Sequence, residues 1–273
     1  MRRKVNLWDN NFPHTPKCSV KDRTPEHIEW VRGQLEGDIT IMTDWYIFEP
    51  VPVRSTYKIG WLLEPRSVSP DVYTHFPTMI DKFNFTLTHD ADLLKIFPSK
   101  TRFAPVGGTW IHDDNIKIHP KTDHVSMIYS SKTHLPGHKL RHDIADAFPE
   151  IDRYGNSNPI LNKEDGLVDY RFSVAVENSR ATNYFTEKLL DCFATGTVPV
   201  YWGCPNIGDF FDTDGILQFN TLEELSWLLP TLKGRYESME GAIQKNFELM
   251  QEYKVTEDWI MKNILEGLDI VSR

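Results

Sequence analysis

Between Arg171 and Trp202 the chain holds an apolar run to Val176, an amphipathic stretch Tyr184–Ala194 closed by Gly196, and a second apolar run, Val198–Trp202. A strand, a helix and a strand in that order pair through a crossover, which commits the segment to parallel sheet covered by helices. The same alternation extends through the chain. Before it, Val5–Trp8, Ile39–Met42, Tyr57–Leu63, Phe85–Thr88 and Arg102–Pro105 read as strands. Thr24-Pro25 reads as a helix start, with Ile28, Val31 and Leu35 on one face and Gly37 as the stop; Ser69-Pro70-Asp71 starts a second helix through Phe83. Further on, Val125–Tyr129 and Ile216–Phe219 read as strands. Lys139–Phe148, Thr221–Leu229, Tyr236–Tyr253 and Glu257–Leu268 read as helices. The polar, aperiodic stretch from Gly107 to Asp123 reads as a linker. The expected fold is therefore α/β: two Rossmann-like domains facing a cleft, 1–120 and 121–273.

Composition narrows what such a chain does. Thirty Lys and Arg stand against 39 Asp and Glu, a net charge of −9, with no basic run longer than Arg2-Arg3-Lys4. That balance argues against nucleic acid or an anionic membrane as partner, while leaving room for a local basic pocket. No stretch of apolar residues reaches membrane-spanning length. Asp9, Asn10 and Asn11 fall where a signal peptide needs an apolar core, so a cytoplasmic protein is expected. The three cysteines, Cys18, Cys192 and Cys204, are too far apart for a zinc pair or a disulfide framework.

The chemistry concentrates in Tyr170–Phe211. The strand ending at Val176 delivers Glu177-Asn178-Ser179 at its carboxyl end, where ligands bind in open α/β sheets. Asn183 is placed to cap the following helix. Lys188 in its first turns, with the positive end of the helix dipole, makes a phosphate site. The competing reading makes Glu187 and Lys188 a solvated surface pair.

These residues resemble the donor-binding signature of the α1,3/α1,4-fucosyltransferases, glycosyltransferase family 10. Phe172, Glu177-Asn178-Ser179, Tyr184, Thr186-Glu187-Lys188 and Val198–Gly203 match it in order and spacing, and Pro205–Phe211 looks most like bacterial members. More weakly, His124–Asp143 resembles the family's strand, small-residue turn and basic helix, with Ser130, Ser131 and Arg141 at the positions of interest. Lys58–Pro65 resembles the strand and turn that carry the family's proposed catalytic carboxylate, which places it at Glu64; Glu49, before Pro50, is the reserve.

The resemblance implies a GT-B arrangement, GDP-fucose as donor, a glycan hydroxyl as acceptor and inversion at the anomeric carbon. It implies an acceptor domain in 1–120 that holds the base Glu64, and a nucleotide-sugar domain in 121–273. Ser130, Ser131, Arg141, Glu177, Asn178, Ser179, Tyr184, Thr186, Glu187 and Lys188 would bind the donor. Arg141 would fork onto the diphosphate, aided by backbone N–H groups near Ser130 and Tyr184, and Glu187 would hold ribose or sugar hydroxyls. Two alternatives stay open: a transferase of the same fold using another nucleotide sugar, and a binding module without turnover.

No cofactor or metal is expected. Asp90-Ala91-Asp92 and Asp212-Thr213-Asp214 have the D-x-D form of manganese-dependent transferases, but Asp90 reads as a helix cap and Asp212 as part of a turn. His138 and His142, one helical turn apart, are a weaker metal candidate.

Overall fold

Parallel strands covered on both faces have no solvent side, and their sequences are apolar throughout rather than alternating. The computed structural model, which describes residues 2–10, 12, 16–156 and 162–269, buries such runs in two parallel sheets. The first contains β1 (Arg3–Trp8), β2 (Ile28–Arg32), β3 (Glu36–Thr43), β4 (Arg54–Leu62), β5 (Phe85–Thr88) and β6 (Thr101–Phe103), in the order β2-β1-β3-β4-β5-β6. Its middle strands are fixed in register by pairs such as Ile41 with Ile59 and Thr43 with Trp61. Two short helices follow β4 and β5: α1 (Pro70–His75) and α2 (Ala91–Ile96).

The second sheet is entered through β7 (Asp123–Tyr129), followed by α3 (Pro136–Ala147), β8 (Asp152–Gly155), β9 (Tyr170–Val176), α4 (Glu187–Thr195) and β10 (Val198–Trp202). β11 (Leu217–Gln218), α5 (Leu222–Leu228) and α6 (Glu240–Glu252) complete it, with strand order β11-β10-β9-β7-β8. β9 lies between β7 and β10, and Phe172 and Val174 are buried in one core with Val125, Met127, Val198 and Val200. The chain then forms α7 (Thr256–Ile260) and a π-helical turn, Met261–Leu265.

One unit consists of the chain up to Gly107 together with the stretch from Val255; the other runs from Gly108 to Lys254. This differs from the expected division at 120/121 at both ends. Ile111 is fully buried in a core of the second unit, so the polar stretch after Gly107 already belongs there. Ile260, Ile264 and Leu265 pack with Val5, Leu7 and Trp61 on the first sheet. An amphipathic pattern records that a helix has a buried face, not which sheet buries it.

Two helices differ from expectation as well. The helix read over 24–37 is instead β2, paired with β1 from Arg3–Ile28 to Leu7–Arg32. Ile28, Trp30 and Val31 suit a strand, Gly33 breaks it at φ 74°, and Leu35 is 44% exposed rather than part of a core stripe. The helix from Pro70 stops at His75 and continues only as two 3₁₀ turns, because Pro77 supplies no N–H for the ladder.

Candidate functional site

At the carboxyl end of β9 the chain delivers a carboxylate into the interior. Glu177 is fully buried, and its oxygens accept from the Thr186 amide at 2.9 Å, the Thr186 hydroxyl at 2.6 Å and the Tyr201 hydroxyl at 3.4 Å. Lys188 Nζ lies 3.8 Å from the same carboxylate. Burial raises the Glu177 pKa above the ordinary glutamate value, against the pull of Lys188 and the Thr186 donors. These contacts tie the end of β9 to the start of α4.

The cap of α4 is Thr186, whose hydroxyl accepts from the Lys188 amide at 3.4 Å, and not Asn183 as the spacing suggested. Asn183 takes a left-handed conformation, φ 64°, and exchanges hydrogen bonds with Asn206: its amide donates to Asn206 Oδ1 and its Oδ1 accepts from Asn206 Nδ2, both at 2.8 Å. Asn tolerates that backbone region better than most residues. The Tyr184 amide is bonded to the Ala181 carbonyl at 3.2 Å, so it is not the free phosphate donor expected there, and the Tyr184 ring is buried.

Glu187 and Lys188 are not a solvated pair. Their side chains are 14% and 22% exposed, and Lys188 Nζ lies 2.7 Å from Glu187 Oε1. A second lysine, Lys163, reaches Glu187 at 3.5 Å and Asp191 at 2.8 Å, with its ammonium 4.4 Å from the centre of the Trp110 ring. Asp191, one turn along α4, also accepts from the Thr109 hydroxyl at 2.8 Å and the Trp110 amide at 2.7 Å. Burial alone would raise the Glu187 pKa; Lys188 and Lys163 overcome it and hold the carboxyl well below the usual range. Burial likewise works against the Lys163 charge, and Asp191 and Glu187 more than restore it.

Lys163 and Asp191 are absent from the sequence-based site. Lys163 sits in a polar run, Asn162–Gly166, that reads as a surface turn. Asp191 did carry a signal, being a charge amid Leu189, Leu190, Cys192 and Phe193, where a buried carboxylate requires a partner.

Helix α3 packs its first turn on this strand end. The Gly137 amide donates to the Asn178 carbonyl at 3.0 Å, and a Cβ at Gly137 would lie 1.7 Å from the Glu177 carbonyl oxygen. One turn on, buried Arg141 donates to the Val176 carbonyl from Nε at 2.9 Å and from Nη2 at 2.5 Å, and from Nη2 to Asn178 Oδ1 at 3.1 Å. The fork expected to grip a diphosphate is thus spent largely on the protein, because a buried guanidinium needs acceptors. Ser179 is buried, whereas Ser130 and Ser131 are exposed in the turn after β7.

In the first unit, Glu64 lies half-buried two residues beyond β4, and its carbonyl accepts from the Tyr73 hydroxyl at 2.7 Å. Buried Asp44 braces that strand end by accepting from the Leu63 amide at 3.0 Å. Arg66 forks onto Asp90 at 2.5 and 2.8 Å, and Asp90 also caps α2. Glu49 is exposed after a 3₁₀ turn.

The remaining metal candidates have other partners. Asp212 accepts from the Asp214 amide and pairs with Lys245 at 2.8 Å. His142 meets the Lys132 carbonyl, while His138 is buried against the ring of His134. Among the described residues no group of three or more His, Cys, Asp or Glu could hold a metal ion, and all three cysteines are buried free thiols.

Residues 118–266, more than half of the chain, match the family described as glycosyltransferase family 10 (fucosyltransferase), C-terminal part. The chain belongs to glycosyltransferase family 10. It is 27% identical over 74 residues to the α-(1,3)-fucosyltransferase FucT of Helicobacter pylori, a stretch covering 27% of this chain and 16% of that protein. It is 36% identical over 80 residues to the GDP-fucose protein O-fucosyltransferase 3 of Bos taurus, covering 24% and 17% respectively. These matches thus span about a sixth of their curated relatives. In fold, the family 10 chain resembles the crystal structure of an α1,3-fucosyltransferase with GDP-fucose, at a TM-score of 0.57 and 15% identity, over 99% of this chain and 92% of that one. Both parallel-sheet units are included in that likeness, and the α/β fold of GT-B type is the one expected. No helix among the described residues is long and apolar enough to cross a membrane.

Proposed function

We propose that this family 10 chain transfers L-fucose from GDP-fucose to a hydroxyl of a glycan acceptor, with inversion. The observation that carries the reading is the cluster at the end of β9, where Glu177, Thr186, Glu187 and Lys188 sit together inside the family-matched region.

The chemistry follows from charge. As the sugar leaves, the anomeric carbon becomes oxocarbenium-like and negative charge builds on the β-phosphate. Fixed cations aimed at that developing charge usually lower the barrier more than any other single effect. Lys188, at the amino end of α4 and part-exposed, is suited to meet that charge. Arg141 adds positive potential and, through Val176 and Asn178, holds the strand end in place. Glu187, kept ionised, would accept hydrogen bonds from ribose or sugar hydroxyls. Inversion by direct displacement needs one base on the acceptor, and we assign it to Glu64.

These cations also support a reaction that needs no metal: transfer should survive excess EDTA, whereas loss with rescue by manganese would refute that part. The test of the whole reading is a thermal-shift screen against GDP, UDP, CMP and their sugars. A ligand that binds only the folded chain stabilises it by RT ln(1 + [L]/Kd), so GDP and GDP-fucose should raise Tm. A shift with UDP or CMP and none with GDP would overturn the donor assignment.

A further inference from the structure

The two lysines that flank Glu187 are tethered very differently. Lys188 belongs to the first turn of α4 and its ammonium contacts Glu187 at 2.7 Å, the Thr186 hydroxyl at 3.3 Å and Glu177 at 3.8 Å. Lys163 comes from another segment and is anchored by Asp191 at 2.8 Å and by the face of Trp110. Asp191 is itself fixed by the Thr109 hydroxyl and the Trp110 amide.

We propose that Lys163, anchored by Asp191, is a positioning residue that keeps the Glu187 carboxylate charged and aimed when Lys188 turns to the diphosphate of the donor. The inference rests on the donor-site reading above. A nucleotide diphosphate attracts the part-exposed Lys188 away from Glu187. A largely buried carboxylate that loses its only cation takes up a proton, which turns one of its accepting oxygens into a donor. Lys163 prevents this because it cannot follow Lys188: Asp191 and the Trp110 ring hold it where it is. One lysine is thereby free to respond to ligand while the other maintains the receptor for the hydroxyls.

The test compares the parent with Lys163→Met, Lys163→Arg and Asp191→Asn, all in the full chain, by GDP titration and GDP-fucose transfer across pH. Lys163→Met should raise KM for GDP-fucose roughly tenfold, the effect of losing one charge-assisted contact. It should also introduce an acidic limb in donor binding above the ordinary carboxylate value of about 4.3, because Glu187 then protonates. Lys163→Arg keeps the charge and should remove that limb. Asp191→Asn releases Lys163 to follow Lys188, so it should weaken donor binding and introduce the same limb, smaller than in Lys163→Met because the Trp110 ring still holds the ammonium. It carries the test should Lys163→Met fail to fold. A folded Lys163→Met with the parental KM and pH profile overturns the inference, as does a folded Asp191→Asn that binds donor like the parent at every pH. A parent that binds no GDP overturns the donor-site reading, and the inference with it.

Discussion

Replacing Gly137 with alanine sets a local preference against a close approach. Within a helix, Ala is favoured over Gly by about 1 kcal/mol, so propensity alone predicts a more stable protein. The Cβ, however, would stand 1.7 Å from the Glu177 carbonyl oxygen, and real Cβ contacts are essentially never under 3.0 Å. The opposing group is backbone at the end of β9 and has no rotamer to change, so α3 and the strand end must separate by about 1.3 Å, the difference between those distances. That movement stretches the Gly137–Asn178 bond and pulls Arg141 away from the Val176 carbonyl. Overpacking costs about 1–3 kcal/mol and a weakened bond to a charged group adds about 1.5–3 kcal/mol. After the propensity gain, Gly137→Ala should destabilise the second unit by about 1.5–5 kcal/mol. Urea unfolding followed by near-UV circular dichroism, with a GDP titration on the folded variant, reads both consequences: a lower midpoint and weaker binding. A variant as stable as the parent, or more so, would refute this reasoning, since propensity would then have outweighed the contact.

Other outcomes follow from the same geometry. Lys188→Ala should weaken GDP binding by about 1.5–3 kcal/mol, read by calorimetry; unchanged affinity would make Lys188 a structural partner of Glu177. Glu64→Gln should keep GDP affinity and Tm while transfer falls about 10²–10⁴-fold, the usual effect of losing a general base; if Glu49→Gln loses transfer instead, the base is Glu49. Burial lowers the pKa of His89 from 6.5 to about 4, so the unfolded chain takes up the proton first. The stability this histidine contributes is complete above pH 6.5 and falls toward pH 4 by up to about 3 kcal/mol. Urea midpoints compared at pH 7 and 5 should show the decline, and His89→Gln should flatten it.

The segment from β9 to β10 was legible because its signals agree. Both strands are largely apolar, β9 carrying only Arg171 and Ser173 as polar residues, and Gly196 takes the left-handed conformation, φ 72°, that closes α4. Where one pattern fits two structures, the sequence misleads: Ile28 and Val31 suit a helix face or a strand, and only pairing with β1 decides. The cap of α4 was misplaced by three residues because Asn183 and Thr186 are both good capping types, and Asn183 is instead drawn to Asn206. Of the candidate site, Glu177, Thr186, Glu187 and Lys188 could be read from their order and spacing through the family resemblance, whereas Asp191 on α4 was passed over. Lys163 could not, since nothing local to Asn162–Gly166 announces a partner on α4, and Arg141 looked like a ligand-facing fork because burial is a tertiary property.

The return of the chain to its first sheet has a consequence for biosynthesis. Fully buried Glu257 accepts from the Ser19 amide at 2.6 Å and the Cys18 thiol at 3.2 Å, so α7 fastens onto residues made 238 and 239 positions earlier in the chain. Between Gly107 and Val255 lie residues 108 to 254, 147 in all. At about 5–20 residues per second, a ribosome needs roughly 7–30 s to cross them. Throughout that interval the apolar surface formed by Val5, Leu7 and Trp61 lacks Ile260, Ile264 and Leu265. The intervening unit is therefore synthesised whole, and free to fold, while the earlier one waits for its last helical segment. Until then the uncovered apolar face of the first sheet is a surface that a chaperone would shield.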